Sequence, residues 1–156
     1  MRYQLFILAL LALTTFQCKQ KEVKGEFSFA EKETTTKVLA STTINLENKG
    51  IGPIDSVALS EKIDTEMANQ GEALYQQKCT ACHKLGETFI GPPPNGILKR
   101  RRPEWVMNMI LNPTEMIKKD SLAAALFMEF NGQLMTNQQV SEEDARAILE
   151  YFRTLE

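Results

Sequence analysis

Residues 67–83 read MANQGEALYQQKCTACH, and the last five, Cys79-Thr80-Ala81-Cys82-His83, decide the fold. The spacing C-x-x-C-H is the attachment signature of a c-type haem. Two thiols that add across the two vinyl groups of one porphyrin must stand a fixed distance apart. Cysteines three positions apart at the end of a helical turn meet that demand. The next residue then aims its imidazole along the ring normal, toward the metal, so that covalent links hold the ring and an axial bond orients it. One covalently attached haem c with its iron is the expected cofactor, with Cys79, Cys82 and His83 as its first anchors.

Other chemistries of paired cysteines fit poorly. A dithiol redox pair sits at the start of a helix that follows a strand, but no alternating strand precedes Cys79, and residues 67–78 read as helix. A zinc site of three or four Cys and His ligands would use nearly all of the three cysteines and one histidine in this 156-residue chain. A Ser-His-Asp hydrolase would have to use His83, and no second histidine of this chain is left to cap the iron from the other side. A formal charge of −2 argues against nucleic-acid binding. The 43% apolar and 24% charged content is that of an ordinary globular chain.

Outward from the motif, the N-terminus reads as an export signal over residues 1–17. Arg2 supplies the positive region, and the apolar run from Leu5 to Leu13 is too short for a membrane span of about 20 residues. Export places the chain in an oxidising, periplasmic or other extracytoplasmic setting. Cys18 follows the apolar run and is odd in number beside the Cys79–Cys82 pair. Its position resembles the lipobox of bacterial lipoproteins, which implies acylation at Cys18 and a durable membrane anchor. The small residues preferred before the cysteine are replaced here by Phe16 and Gln17.

Residues 18–66 read as a flexible tether. From 19 onward they hold seven Lys and nine Asp or Glu, runs of Thr and Ser, and few large apolar residues, too little to offset the entropy of ordering. Weak alternation at Phe27–Phe29 and Val38–Leu46 allows a short strand, and Gly50-Ile51-Gly52-Pro53 is a break. Ile54–Leu59 has enough apolar residues to pack on the folded domain beyond it. That folded unit is expected over residues 67–156.

The unit resembles the class I, mitochondrial-type, monohaem cytochromes c. Gly71-x-x-x-Tyr75 before the haem motif, Ile90-Gly91-Pro92-Pro93 after it, and a closing amphipathic helix from Ser141 to about Thr154 carry the likeness. The resemblance implies an all-α fold of four or five helices around one covalent haem, with Gly71 and Tyr75 meeting Ile148 and Tyr151 of the last helix. It implies that the Pro92 carbonyl supports the other nitrogen of His83, and that Trp105 lies near the haem edge with its indole NH in reach of a propionate. Tyr75 and Phe89 are expected to line the pocket or the helix contact. The basic run Lys99-Arg100-Arg101-Arg102 reads equally as a propionate or docking element and as a solvated face.

The sixth ligand separates carrier from enzyme. Helices are expected at Pro103–Leu111, Thr114–Lys119 and Ser121–Phe130, which puts Met107, Met109, Met116 and Met128 on helices. Met135 alone falls in a loop, just before the last helix, where the family places its axial methionine, although Thr136 stands where Pro is usual. Met135 is therefore the expected ligand, with Met128 as the alternative. His and Met together close both faces of the iron, so the expected activity is one-electron transfer rather than catalysis. The expected partners are a quinol-oxidising complex and a terminal oxidase or other reductase, served by a monomeric domain tethered to the membrane. An open sixth site would instead give a haem enzyme or gas sensor.

Overall fold

The computed structural model describes residues 38–156. The signal segment, Cys18 and the tether as far as residue 37 lie outside the described residues. The fold is all-α. Among the described residues, five α-helices and one 3-10 turn account for the regular structure, and there is no strand, only a single parallel bridge between Asn45 and Arg101.

Helix α1 (Thr65–Lys78) starts where Asp64 accepts the Met67 amide at 3.0 Å, with Glu66 in its first turn and Lys78 in its last. Both charges sit at the ends the helix dipole favours. The last helix, α5 (Glu142–Arg153), is built the same way. Ser141 Oγ accepts the Asp144 amide at 3.1 Å, and Glu142, Glu143 and Asp144 fill the first turn. Its buried stripe includes Ala145, Ile148, Leu149 and Phe152.

Gly71 is what lets α1 and α5 cross. A Cβ at this position would stand 1.9 Å from the Ala147 carbonyl oxygen and 2.9 Å from the Ile148 amide nitrogen, so only glycine fits. One turn on, the Tyr75 ring packs 5.5 Å from that of Tyr151 and edge-on to that of Phe152 at 5.8 Å, geometries favoured by aromatic quadrupoles.

Between these two helices the chain forms the 3-10 turn Ile97–Lys99 and three short helices, α2 (Pro103–Leu111), α3 (Pro113–Lys119) and α4 (Ser121–Glu129). Proline opens α2 and α3, where its missing N–H costs nothing. Asp120 opens α4 by accepting the Ala123 amide at 2.8 Å. Boundaries differ from the sequence expectation by a residue or two at frayed ends.

One expectation fails. Residues 38–64 do not form a free tether but a strap laid along the helical part. Ala40 is buried, and Ile54, Val57 and Leu59 pack against the core. The strap's polar backbone is satisfied by side chains from distant helices. Asn108, buried on α2, donates to the carbonyls of Lys49 (3.0 Å) and Ile54 (2.9 Å) and accepts the Ile54 amide at 3.0 Å. Asn48 donates to Asp120 at 2.6 Å, and the Asp64 amide donates to Glu150 at 2.9 Å. Close contacts replace a strand here. A Cβ on Gly50 would come within 2.8 Å of the Met116 sulfur, and one on Gly52 would collide with Asn108. Composition gives the segment too few apolar residues for a core of its own, and here it is held by side chains of the helical part. Its long-range hydrogen bonds reach partners 54 to 93 positions away.

Candidate haem-binding site

Helix α1 ends at the motif. Cys79 is its C-cap, with the Cys79 amide on the Tyr75 carbonyl at 2.9 Å. A tight turn follows, in which the amides of Cys82 and His83 both donate to the Cys79 carbonyl, at 3.0 and 2.8 Å. The Gly91 amide closes the return by donating to the Cys82 carbonyl at 2.9 Å. The buried Tyr75 hydroxyl donates to the His83 carbonyl at 2.8 Å. The turn that presents both thiols is therefore held through its own backbone.

The imidazole of His83 is fixed on its far side. Its Nδ1 lies 2.8 Å from the Pro92 carbonyl oxygen. A carbonyl only accepts, so Nδ1 carries the proton and Nε2 keeps its lone pair for a metal. Gly91 makes room for the ring, because a Cβ there would sit 2.5 Å from His83 Cε1. The run of three prolines does not displace this carbonyl.

Cys79, Cys82 and His83 open onto a large apolar cleft, with about 1340 Å³ of empty space including the solvent at its mouth. Helix α2 lends Trp105, Val106 and Met109 to its wall, α4 lends Leu126 and Phe127, and the loop before α5 lends Leu134 and Met135. Burial pushes the Cys79 thiol up to about 11, against the opposing pull of Lys78. A redox dithiol needs the reverse, a thiol acidified into the reactive range. Paired thiols, an imidazole with a free Nε2, a thioether and an apolar slot fit a covalently held haem.

Several expected roles change. Trp105 lines the cleft, but its indole NH donates to Asp120 at 3.2 Å and not toward a propionate. Met128 is 72% exposed and stands outside the cleft, which removes it as an alternative ligand. The second methionine in the wall is Met109, which sequence reasoning left among core helix residues. Phe89 is half exposed under the Lys84 ammonium, 4.3 Å from its ring centre, and is not part of the cleft wall. The basic run divides, with Lys99 exposed to solvent and its middle pair turned to the cleft. Lys99 pairs with Glu156 and Arg102 with Glu104, while Arg100 and Arg101 both line the cleft. Arg100 donates to the carbonyls of Asn95 and Gly96, and Arg101 is 3% exposed and bonded to the strap. Ser41, also in the wall, gave no signal in the sequence, because it lies in a Ser/Thr-rich stretch 38 positions before Cys79.

The cytochrome c family model matches residues 68–156, more than half of the chain. The chain belongs to the cytochrome c family. Among solved structures it is similar to the cytochrome c from Rhodothermus marinus, at 48% identity and a TM-score of 0.65, over 67% of this chain and 89% of that one. An engineered cytochrome c from the same organism matches at 47% identity and a TM-score of 0.64, covering 67% and 90%. A further form of that engineered cytochrome c, bound to a carbene intermediate, matches at 46% identity and 0.62, covering 67% and 89%. No curated protein matches the chain.

As a cytochrome c the chain binds a covalently attached haem c with its iron, and Cys79 and Cys82 fit the family's attachment motif. It is a haem-based electron carrier. Cytochrome c domains are typically exported, and among the described residues no helix is long and apolar enough to cross a membrane.

Proposed function

We propose that this cytochrome c is a membrane-tethered shuttle in which His83 Nε2 and Met135 Sδ cap the two faces of the haem iron. The observation that carries this reading is the Nδ1–H bond from His83 to the Pro92 carbonyl. It sets the tautomer, and it makes the imidazole a firm donor on one face. Met135 is supported by its place in the cleft wall on the loop between α4 and α5.

When bound, the haem supplies a one-electron ferric/ferrous couple. The protein's part would be to supply two iron donors, the His83 imidazole and the Met135 thioether. Imidazole and thioether leave no site open to oxygen or peroxide, and both serve the two oxidation states, so little moves on electron transfer. The soft, neutral sulfur of Met135 favours the ferrous state and sets a higher potential than a second imidazole would. The same reading places the domain on the outer face of a bacterial membrane, held by acylation at Cys18. Its donor is then a quinol-oxidising complex and its acceptor a terminal oxidase or another reductase.

The test compares wild type with Met135→Ala and Met109→Leu. The expected result is that the long-wavelength ferric band of sulfur–iron ligation and the high potential vanish in Met135→Ala and persist in Met109→Leu. Fast carbon monoxide binding to the reduced wild type would instead identify an open site and a haem enzyme or sensor. Labelling with a fatty-acid probe, lost in Cys18→Ala, tests the anchor.

A further inference from the structure

We infer that the strap is a wall of the haem site, with Ser41 at the cleft and Glu129 and Arg101 as the positioning residues that hold it there. The family match begins at residue 68, so this wall comes from outside it. Ser41 lines the cleft together with Arg101 and Trp105. Its amide donates to Glu129 Oε2 at 2.9 Å, and its hydroxyl donates to Glu129 Oε1. On either side, Arg101 donates from Nη2 to the Ala40 carbonyl at 2.5 Å and from Nη1 to the Thr43 carbonyl. The Arg101 guanidinium also stacks 5.3 Å over the Trp105 ring, which is in the same wall. Two charged side chains thus grip the strap over residues 40–43 at the edge of the cleft.

The placement of Glu129 supports a dedicated latch. It is the last residue of α4, whose final turn holds no basic residue. A carboxylate there faces the negative end of the helix dipole. The two donors of Ser41 and the nearby Arg101 offset that cost, and among the described residues the Glu129 side chain makes no other hydrogen bond.

Closing this edge keeps water from the cofactor. The ferric centre carries one more positive charge than the ferrous, so a drier site disfavours it and raises the potential. The strap therefore tunes the carrier upward. This rests on the electron-carrier reading for its readout, but not on which sulfur binds iron.

The experiment uses the full-length holoprotein as wild type, Glu129→Ala, Glu129→Gln and Ser41→Ala. Amide hydrogen exchange over residues 40–45 and the midpoint potential are both read. Loss of the charge-assisted latch in Glu129→Ala should speed exchange there by about tenfold or more. Both Glu129 variants remove a negative charge near the cleft, which by itself raises the potential, so the hydration effect is read at equal charge. Relative to Glu129→Gln, which keeps one acceptor, Glu129→Ala should shift the couple toward the oxidised form by up to about tenfold, equivalent to a fall of about 59 mV for one electron. Ser41→Ala, which keeps the amide bond and the charge, should show a smaller fall relative to wild type. Faster exchange in Glu129→Ala at the potential of Glu129→Gln would overturn the strap as part of the haem site. Unchanged exchange in Glu129→Ala would overturn the latch. A wild type lacking the sulfur–iron band would sink the ligand assignment alone, since the strap variants are read as differences from wild type or from one another.

Discussion

The helical part and the strap are held by different means. Helices α1 and α5 meet through side-chain periodicity and one glycine, and the attachment motif lies within five residues at the end of α1. The strap has no helix, and its internal bonds are short turns, such as the Thr43 amide on the Leu39 carbonyl and the Asn48 amide on the Asn45 side chain. Asn108, Asp120, Glu129 and Glu150 hold it from four places in the helical part. Each helix of the first region is specified by its own local pattern, although α1 and α5 meet from opposite ends of it. The second is anchored by side chains that the first presents.

The comparison breaks most visibly at Gly71. Gly71→Ala drives a methyl group into the backbone of α5 and should cost at or above the ~3 kcal/mol upper range of overpacking. Urea unfolding of the holoprotein is expected to show both regions lost together. Asn108→Ala is the reverse experiment. It leaves the Lys49 and Ile54 carbonyls and the Ile54 amide without their partner, at ~1–3 kcal/mol for a buried group left unpaired. Hydrogen exchange should rise at Ile54 and its neighbours while the α1–α5 amides stay protected. Equal loss in both regions would mean that the strap is not a separate layer.

A finer test is Tyr75→Phe, which keeps the ring among Tyr151 and Phe152 but removes the donor to the His83 carbonyl. The expected cost is ~1–2 kcal/mol, read by thermal unfolding, with the haem still attached. Burial pushes the Tyr75 hydroxyl up to about 12, so this donor stays protonated and its contribution should not vary across neutral pH.

The smallest effect expected is the acid response of Glu150, which joins the strap's end to α5. Burial raises its pKa, but the Asp64 amide and the Arg146 and Arg153 guanidinium groups outweigh burial and hold it below the ordinary value. A carboxylate depressed on folding stabilises fully above its unfolded value, about 4.3. That stability is lost as pH falls through the lower folded value. Wild type should therefore lose stability below about pH 4 more steeply than Glu150→Gln, measured by denaturant midpoints from about pH 3 to 6.

The same contrast explains what could be read from the chain. The C-x-x-C-H spacing, Gly71 with Tyr75, the proline-led α2 and the acidic first turn of α5 are local patterns whose geometry follows from the helix repeat. The five helices were accordingly legible to within a few residues. The strap was not, because each of its polar residues looks like a soluble linker until Asn108 or Arg101 is brought beside it. Trp105 shows the same limit within the site. The family resemblance expected the indole near the haem edge, and Trp105 lines the cleft, but the Asp120 carboxylate that takes its NH belongs to the cap of another helix. Met109 was missed because one face of α2 looks like ordinary core until the cleft beside it is seen.

The order in which the strap is fastened has a mechanical consequence. Moving inward from the N-terminal side, the first fastenings are Ser41 to Glu129 and Arg101 to Ala40 and Thr43, then Asn48 to Asp120, then the Asn108 bonds, then Arg153 to Ser60, and last the Asp64 amide to Glu150 before α1 begins. A pull on residue 38 loads these in series, like stitches undone one at a time, and reaches the haem-bearing turn only after all of them have parted.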